Sequence, residues 1–301
     1  MLYFLQQLLN GLHIGAIYAL LAFGYAVSNG VLHRTNLAHG ALFAFAGQTM
    51  ILVAVFGWQV LWLTLPATIA LGIAAAFAYS LLIAEVLSRH VFRGLVARSP
   101  NTIVAATLGV ALVLMELGRI AAETRDFWLP PLLADPVVFA ASAGFRVTLT
   151  AMQVVNCAIA IGAIASAGAA LARSRFGREW RAVADDPAAA ALCGVDTGLV
   201  FHRAILFGAA AAALAGVLAG LYFGNISFGT GLVFGLKVLF ITAVGGYHAP
   251  TRAAVGAMAF GIAESLWSGY FPIEWRDAWM FLFLVALLVL RPAREEPGKP
   301  A

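Results

Sequence analysis

Residues 10–32 read NGLHIGAIYALLAFGYAVSNGVL, a stretch without a single Asp, Glu, Lys or Arg. An α-helix rises about 1.5 Å per residue, so a run of this length reaches across the roughly 30 Å hydrocarbon core of a bilayer. The first basic residue of the chain is Arg34. The run therefore lacks the basic start of a secretory signal, and its apolar stretch continues too far for a cleaved one. It reads as an uncleaved first span. The remainder of the chain repeats the pattern: of 301 residues, 62% are hydrophobic and 11% charged, with a mean hydropathy of +0.93. An average soluble domain carries roughly 25% charge, so this chain has too little to coat a water-facing surface. The expected fold class is an all-α polytopic membrane protein.

Nine segments meet the length requirement: 8–28, 37–56, 60–87, 101–120, 147–172, 204–224, 231–247, 253–271 and 277–291. The seventh is short, interrupted by glycine and carries Lys237, so a re-entrant segment and a total of eight crossings is the alternative. Basic residues near span ends stay on the cytoplasmic side. With nine crossings, one set of loops holds Arg34, Arg89, Arg93, Arg98, Arg173, Arg175, Arg178, Arg181, Arg203, Arg252, Arg291, Arg294 and Lys299, and the other holds only Arg119, Arg125, Arg146 and Arg276. This bias of 13 to 4 predicts an amino terminus outside and a carboxyl terminus in the cytoplasm. The scattered basic residues form no patch that suggests nucleic acid. The outer loop 121–146 and the inner loop 173–203 are long enough to have structure of their own. The tail that begins at Ala293 has no apolar periodicity and is expected to be disordered.

Enzyme signatures are missing from the sequence. It contains no GxxxxGKS/T loop for nucleotide phosphates, no HExxH and no GxSxG. Its six histidines include no i, i+4 pair, and Cys157 and Cys193 suggest neither a disulfide nor a metal site. No catalytic, cofactor-binding or metal-binding residue is expected. A pore, a carrier or a subunit of a larger machine remains.

The inner loop is the most polar stretch. Within RSRFGREWRAVADDPAAAALCGVD, Asp186 suits a helix N-cap, Pro187 a first helical residue, and Gly194 a helix end. A short cytoplasmic helix flanked by charges is either a docking element for a soluble partner or a solvated connection. The pattern Gly177, Arg181, Ala182, Val183, Asp186, Pro187, Ala190, Gly194, Val195 resembles the coupling loop of permease subunits in branched-chain amino acid ABC importers. Residues 10–32 resemble that family's opening helix. Asn36, Ala38, His39 and Gly40 reproduce its NxAHG element, and Gly235, Lys237, Gly245, Gly246, Gly256, Gly261, Glu264 and Ser265 resemble its glycine-containing closing stretch. Three separated motifs thus cover nearly the whole chain, in the manner of the shorter, amino-terminal-type permease of the pair. The departures are Ala46-Gly47-Gln48 in place of Gly-Ala-Tyr, His248 to Arg252 in place of a plainer turn, and Ala293 to Pro300 after the final Arg-Pro.

The resemblance implies a transmembrane permease domain over 1–292 and a cytoplasmic tail over 293–301, forming a bundle of eight or nine helices with a short coupling helix. It implies an inner-membrane importer for branched-chain or related amino acids. This chain would bind no cofactor and leave ATP to two separate ATPase subunits. A second homologous permease, an external solute-binding protein meeting loop 121–146, and membrane lipid complete its expected partners. Coupling to the ATPases is assigned to Arg178, Arg181, Asp185, Asp186, Pro187 and Gly194.

Candidate pathway residues are Asn36, His39, Lys237 and Glu264. Asn36 caps the second span, which Arg34 places near the cytoplasmic surface; a capped helix with His39 bonded locally is the plainer alternative to a substrate-facing end. Lys237 and Glu264 lie deep in spans, where an ionisable side chain serves a pathway, an ion pair or simple burial between helices. Glu116 is close enough to a span end to reach the interface. Small residues at four-residue spacing, Gly208, Ala212, Gly216 and Gly220 with the pairs Gly11/Gly15 and Gly231/Gly235, predict close helix packing within the subunit. The alternatives to the ABC reading are an ATP-independent carrier or channel, or an ABC permease for urea or amides. The first predicts midplane charge chains and an internal repeat; the sequence has few of the former and only a vague echo of the latter.

Overall fold

A computed structural model describes residues 1–92, 100–142, 144–246 and 249–290. Helices α1 (Leu2–Leu32), α2 (Ala38–Gln59), α3 (Leu65–Val86), α4 (Pro100–Ala121), α5 (Ala151–Arg173) and α8 (Thr197–Phe223) are long and apolar enough to cross a membrane, with α3 continuing into a π-helical turn over Leu87–Phe92. Helix α9 (Thr230–Gly245) is shorter, at 16 residues, and is followed by α10 (Pro250–Tyr270) and α11 (Arg276–Leu290). These nine helices coincide with the nine expected segments. Two short helices, α6 (Arg175–Asp185) and α7 (Pro187–Leu192), form one end of the molecule; an antiparallel hairpin, β1 (Pro136–Ser142) and β2 (Phe145–Thr150), lies at the other. The expected tail, as well as Arg93, Arg98 and His248, lies outside the described residues.

Helix α1 is the axis of the bundle. Within its most apolar stretch 94% is buried, and it packs on α10, α8, α5 and α9. It also serves as a depth ruler. At the hairpin end Gln6 exchanges two hydrogen bonds with Thr148, each 2.8 Å; at the other end the carbonyl of Val27 accepts 2.9 Å from Trp180 Nε1 on α6. The stretch between Gln6 and Val27 spans about 31 Å, close to the hydrocarbon thickness of a bilayer at about 30 Å. Its middle falls near Tyr18, whose ring is 1% exposed.

In lipid there is no hydrophobic force to bring apolar helices together, so close backbone approach has to supply van der Waals contact. The small-residue stripes do this inside the subunit: Gly208 meets Gly24 and Ser28, Gly216 meets Phe43, Gly220 meets Met50, and Gly11 and Gly15 meet α10 around Gly261. These pairings also fix directions. Residues 24 and 28 oppose 211 and 208, so α1 and α8 are antiparallel, and residues 43 and 50 oppose 216 and 220, so α2 and α8 are parallel.

Two of the connections run back into the bundle. After α1 ends at His33 in a left-handed conformation (φ 53°), residues 33–37 run back along it. The amide of Asn36 then lies 3.4 Å from Tyr25 Oη, and His39 Nε2 lies 3.1 Å from the Leu21 carbonyl. Helix α2 therefore starts inside the bundle, near the level of Leu21 to Tyr25. After α8, residues 224–229 descend in the opposite sense, Ile226 passing Gly47, and α9 begins where Gly231 meets Gly40, Ala41 and Ala44. The rings of Phe43 and Phe234 stack at 5.1 Å, with Tyr18 at 5.2 Å from Phe234. Long helix, extended break and a second helix starting at depth thus occur twice with opposite direction. The contacts of Gly40 with Gly235 and Ala44 with Gly231 make α2 and α9 antiparallel. At the start of α2 Asn36 Oδ1 accepts 3.1 Å from the Ala38 amide, while the cap position itself is Leu37 and makes no side-chain cap bond. The seventh segment is an extended stretch, 224–229, followed by the 16-residue helix α9.

Candidate functional site

Three groupings of side chains stand out. The first is the crossing of α2 and α9. A Cβ built on Gly40 would collide with the backbones of Gly235 and Gly231, the Gly235 nitrogen lying 2.8 Å away. His39 and Asn36, at the start of α2, are 2% and 6% exposed. Asn36 also completes a network in which the Leu37 amide donates 3.2 Å to Thr107 on α4.

The second is an ion network joining four helices. Lys237 on α9 donates 2.6 Å to Glu264 on α10, 3.0 Å to Asp277 on α11 and 3.4 Å to Tyr18 on α1. Arg276 lies 3.2 Å from Asp277 and 3.4 Å from Glu264. The lysine side chain is 2% exposed and that of Glu264 6%. Isolated charge at this depth is expensive; two basic and two acidic groups in mutual contact cancel it. Lys237 and Glu264 are thus paired with each other in the structure. Asp277 and Arg276 were not legible as its other members, because they read as ordinary interfacial charges at the start of the last span. Glu116 pairs with Arg119 on the exposed side of α4, and Glu85 pairs with Arg89 and His202 beside the π-helical turn.

The third is the α6–α7 element. Asp186 caps α7, its Oδ1 accepting 2.8 Å and 3.0 Å from the amides of Ala188 and Ala189. Pro187 is at the first turn and Gly194 follows the helix with φ +82°, as the sequence predicted. Helix α6 was not anticipated. Ser174 caps it at Gly177, whose missing Cβ lets the turn press on Leu171; Arg181 donates 2.8 Å to the same Leu171 carbonyl. Trp180, 3% exposed, anchors the helix under α1. Arg178, Arg181, Asp185, Asp186 and Pro187 all face outward, and Leu192 is 91% exposed. An exposed apolar side chain thus shares this end of the molecule with exposed charges, on an element tied to the central helix through Trp180. Among the described residues, no group of three or more His, Cys, Asp and Glu forms a metal site.

A bundle of long apolar helices around a central one, with charge neutralised inside it, is the architecture of a membrane permease. The chain belongs to the branched-chain amino acid transport system / permease component family, whose model matches residues 7–290. It is 32% identical over 297 residues to the high-affinity branched-chain amino acid transport system permease protein LivH of Salmonella typhimurium, covering 97% of this chain and 94% of that protein. It is 33% identical to LivH of Escherichia coli K12 with the same coverage. Against BraD of Pseudomonas aeruginosa, a permease protein of the same description, identity is 28% over 298 residues, 96% of this chain and 94% of the relative. No solved structure matches the chain.

Proposed function

We propose that this chain is one of two homologous transmembrane subunits of an ATP-binding-cassette importer that moves branched-chain amino acids into the cytoplasm of a bacterium. Two ATPase subunits bind the α6–α7 end, which is cytoplasmic, and an external solute-binding protein delivers the amino acid at the hairpin end. Nucleotide chemistry belongs to the ATPases. The observation that carries this reading, beyond family membership, is the α6–α7 element. Movement of α7 is passed through Trp180 to the Val27 carbonyl, and so to the axial helix, as a rigid-body shift. Arg178, Arg181, Asp185, Asp186, Pro187 and Gly194 shape or flank the docking surface, and Leu192 is its apolar centre.

The reading is tested by reconstituting the chain with its partner permease, both ATPases and the binding protein in proteoliposomes, and measuring labelled leucine uptake with and without ATP. Uptake by this chain alone, indifferent to ATP, would establish the ATP-independent carrier instead. The α1–α2 and α8–α9 pairs run in opposite directions, which does not separate the two readings; ATP dependence does. Leu192→Asp is expected to lower leucine-stimulated ATP hydrolysis and uptake at least about tenfold with unchanged membrane insertion, because removing a central apolar contact and burying a charge costs about 2 kcal/mol or more. Full activity in that variant would take α7 out of the coupling route.

Orientation has its own test. Cys193 is exposed at the end of α7, whereas Cys157 lies within α5. A membrane-impermeant maleimide should modify Cys193 in inside-out vesicles and leave it unmodified in right-side-out cells. The reverse pattern would invert the proposed topology.

A further inference from the structure

The α8–α9 break raises a question that the helices around it do not. Backbone outside a helix cannot satisfy all its amides and carbonyls, and at membrane depth it is tolerated only where protein buries it or where it lines a water-filled cavity. Residues 224–229 are such a stretch. Phe234 touches Tyr18 at the middle of the depth ruler, and Thr230 lies one turn, about 6 Å, toward the hairpin end, still well within the hydrocarbon thickness. One side of the break is covered: Gly224 and Ile226 are buried, the Gly224 carbonyl accepting 2.9 Å from the Leu129 amide. The other side is open. Ser227 is exposed, and Phe228, Gly229 and Thr230 are half-exposed. The hydroxyls of Ser227 and Thr230 lie 2.9 Å apart. Lipid is excluded as the neighbour of this polar edge.

What leads to the edge is also visible. A groove of about 690 Å³ runs along the hairpin-end half of α2 between α3 and α4, lined by Phe45, Gln48, Leu52, Tyr79 and Leu117, with Phe127 of the outer loop at its mouth. Phe45 and Gln48 at its floor also line a small cavity against Phe228, Gly231 and Leu232, where α9 begins. Groove, cavity and break are thus contiguous.

We infer that Ser227 to Thr230 and the adjoining Phe45 and Leu232 form the wall of the solute route at mid-membrane. The wall's chemistry suits a zwitterion with an aliphatic side chain: hydroxyls and open backbone for the charged end, and phenyl and leucyl surface for the other, with Gln48 held behind it by a 3.0 Å bond to the Gly118 carbonyl. Asn36, His39, Lys237 and Glu264 stand behind this wall and hold the helices that carry it.

The inference rests on the importer reading, and the experiment separates the two. In the complete complex, with Cys157 and Cys193 replaced by serine, Ser227→Cys and Thr230→Cys are each exposed to a membrane-impermeant cationic thiol reagent, in the resting, ATP-bound and leucine-loaded states. Val285→Cys, on the exposed side of α11, is the lipid-facing reference, and leucine uptake of the cysteine-free background is the standard. At least one of the two positions is expected to react at least about tenfold faster than Val285→Cys in one state, and to be slowed at least about threefold by saturating leucine with its binding protein. If neither position reacts faster than Val285→Cys in any state, the edge is sealed against the second permease and the inference falls while uptake still supports the importer. Reaction without protection by leucine also overturns it. Failure of the background complex to pump leucine overturns the importer reading itself.

Discussion

Replacing Lys237 with methionine is expected to destabilise the protein by about 3 kcal/mol, the lower end of the cost of breaking a buried ion pair, because Arg276 still lies 3.4 Å from Glu264. Glu264 and Asp277 would lose contacts of 2.6 Å and 3.0 Å, and Glu264 already has one carboxylate oxygen, Oε2, with no hydrogen-bond partner. Solvent cannot take over, because the Glu264 side chain is only 6% exposed. Thermal unfolding of the detergent-purified protein checks the size of the loss. The double variant Lys237→Met with Glu264→Gln should regain part of it, since the charge left behind is then removed along with its partner. If Lys237→Met unfolds at the wild-type temperature, the network does not hold α9, α10 and α11 together. The two outcomes also separate structure from transport: a network that only braces helices lets the double variant recover stability and uptake together.

The second large effect is at the helix crossing. Gly40→Val is expected to abolish leucine uptake and sharply reduce folded protein, because the added side chain meets the Gly235 and Gly231 backbones with no flexible side chain to yield. Overpacking of this kind costs about 1–3 kcal/mol even where neighbours can shift, and here the neighbour is main chain on a helix that is itself held by Lys237. Gly235→Ala should be milder, its Cβ meeting the Gly40 Cα at 2.9 Å. Gly109→Ala and Gly162→Ala provide the contrast, since nothing lies within 4 Å of either position; they should be neutral or stabilise by about 0.5–1 kcal/mol through helix propensity. A ranking in which Gly40 tolerates valine as readily as Gly109 tolerates alanine would show that the crossing opens freely.

These two sites show where sequence reading succeeds and where it stops. Asp186, Pro187 and Gly194 were legible as cap, first turn and terminator because capping is local: each residue acts on amides within three or four positions of itself. Glycines at four-residue spacing were legible as packing surfaces for the same reason, one face of one helix being encoded by period alone. Their partners were not. Nothing near Gly40 states that it meets Gly235, and nothing near Lys237 states that Glu264, Asp277 and Tyr18 converge on it. Arg34 misled on depth: it marks the turn after α1, but residues 33–37 then climb back along α1, and a short extended stretch carries no periodic signal to announce that. Helix α6 was overlooked because its residues are polar and its anchoring depends on one side chain, Trp180, reaching a carbonyl 153 positions away.

By itself, then, the sequence determined that the chain is a polytopic helical membrane protein, where its apolar segments lie, which loops hold the basic residues, and where the short helix α7 begins and ends. A bilayer acts on each segment separately, so run length and charge suffice to decide insertion. Only the tertiary structure decided that two connections break at depth, that four charges neutralise one another between α9, α10 and α11, and that one edge of the α8–α9 break is left open. Those outcomes depend on which helices become neighbours, and burial, pairing and exposure are properties of neighbours that no single segment contains.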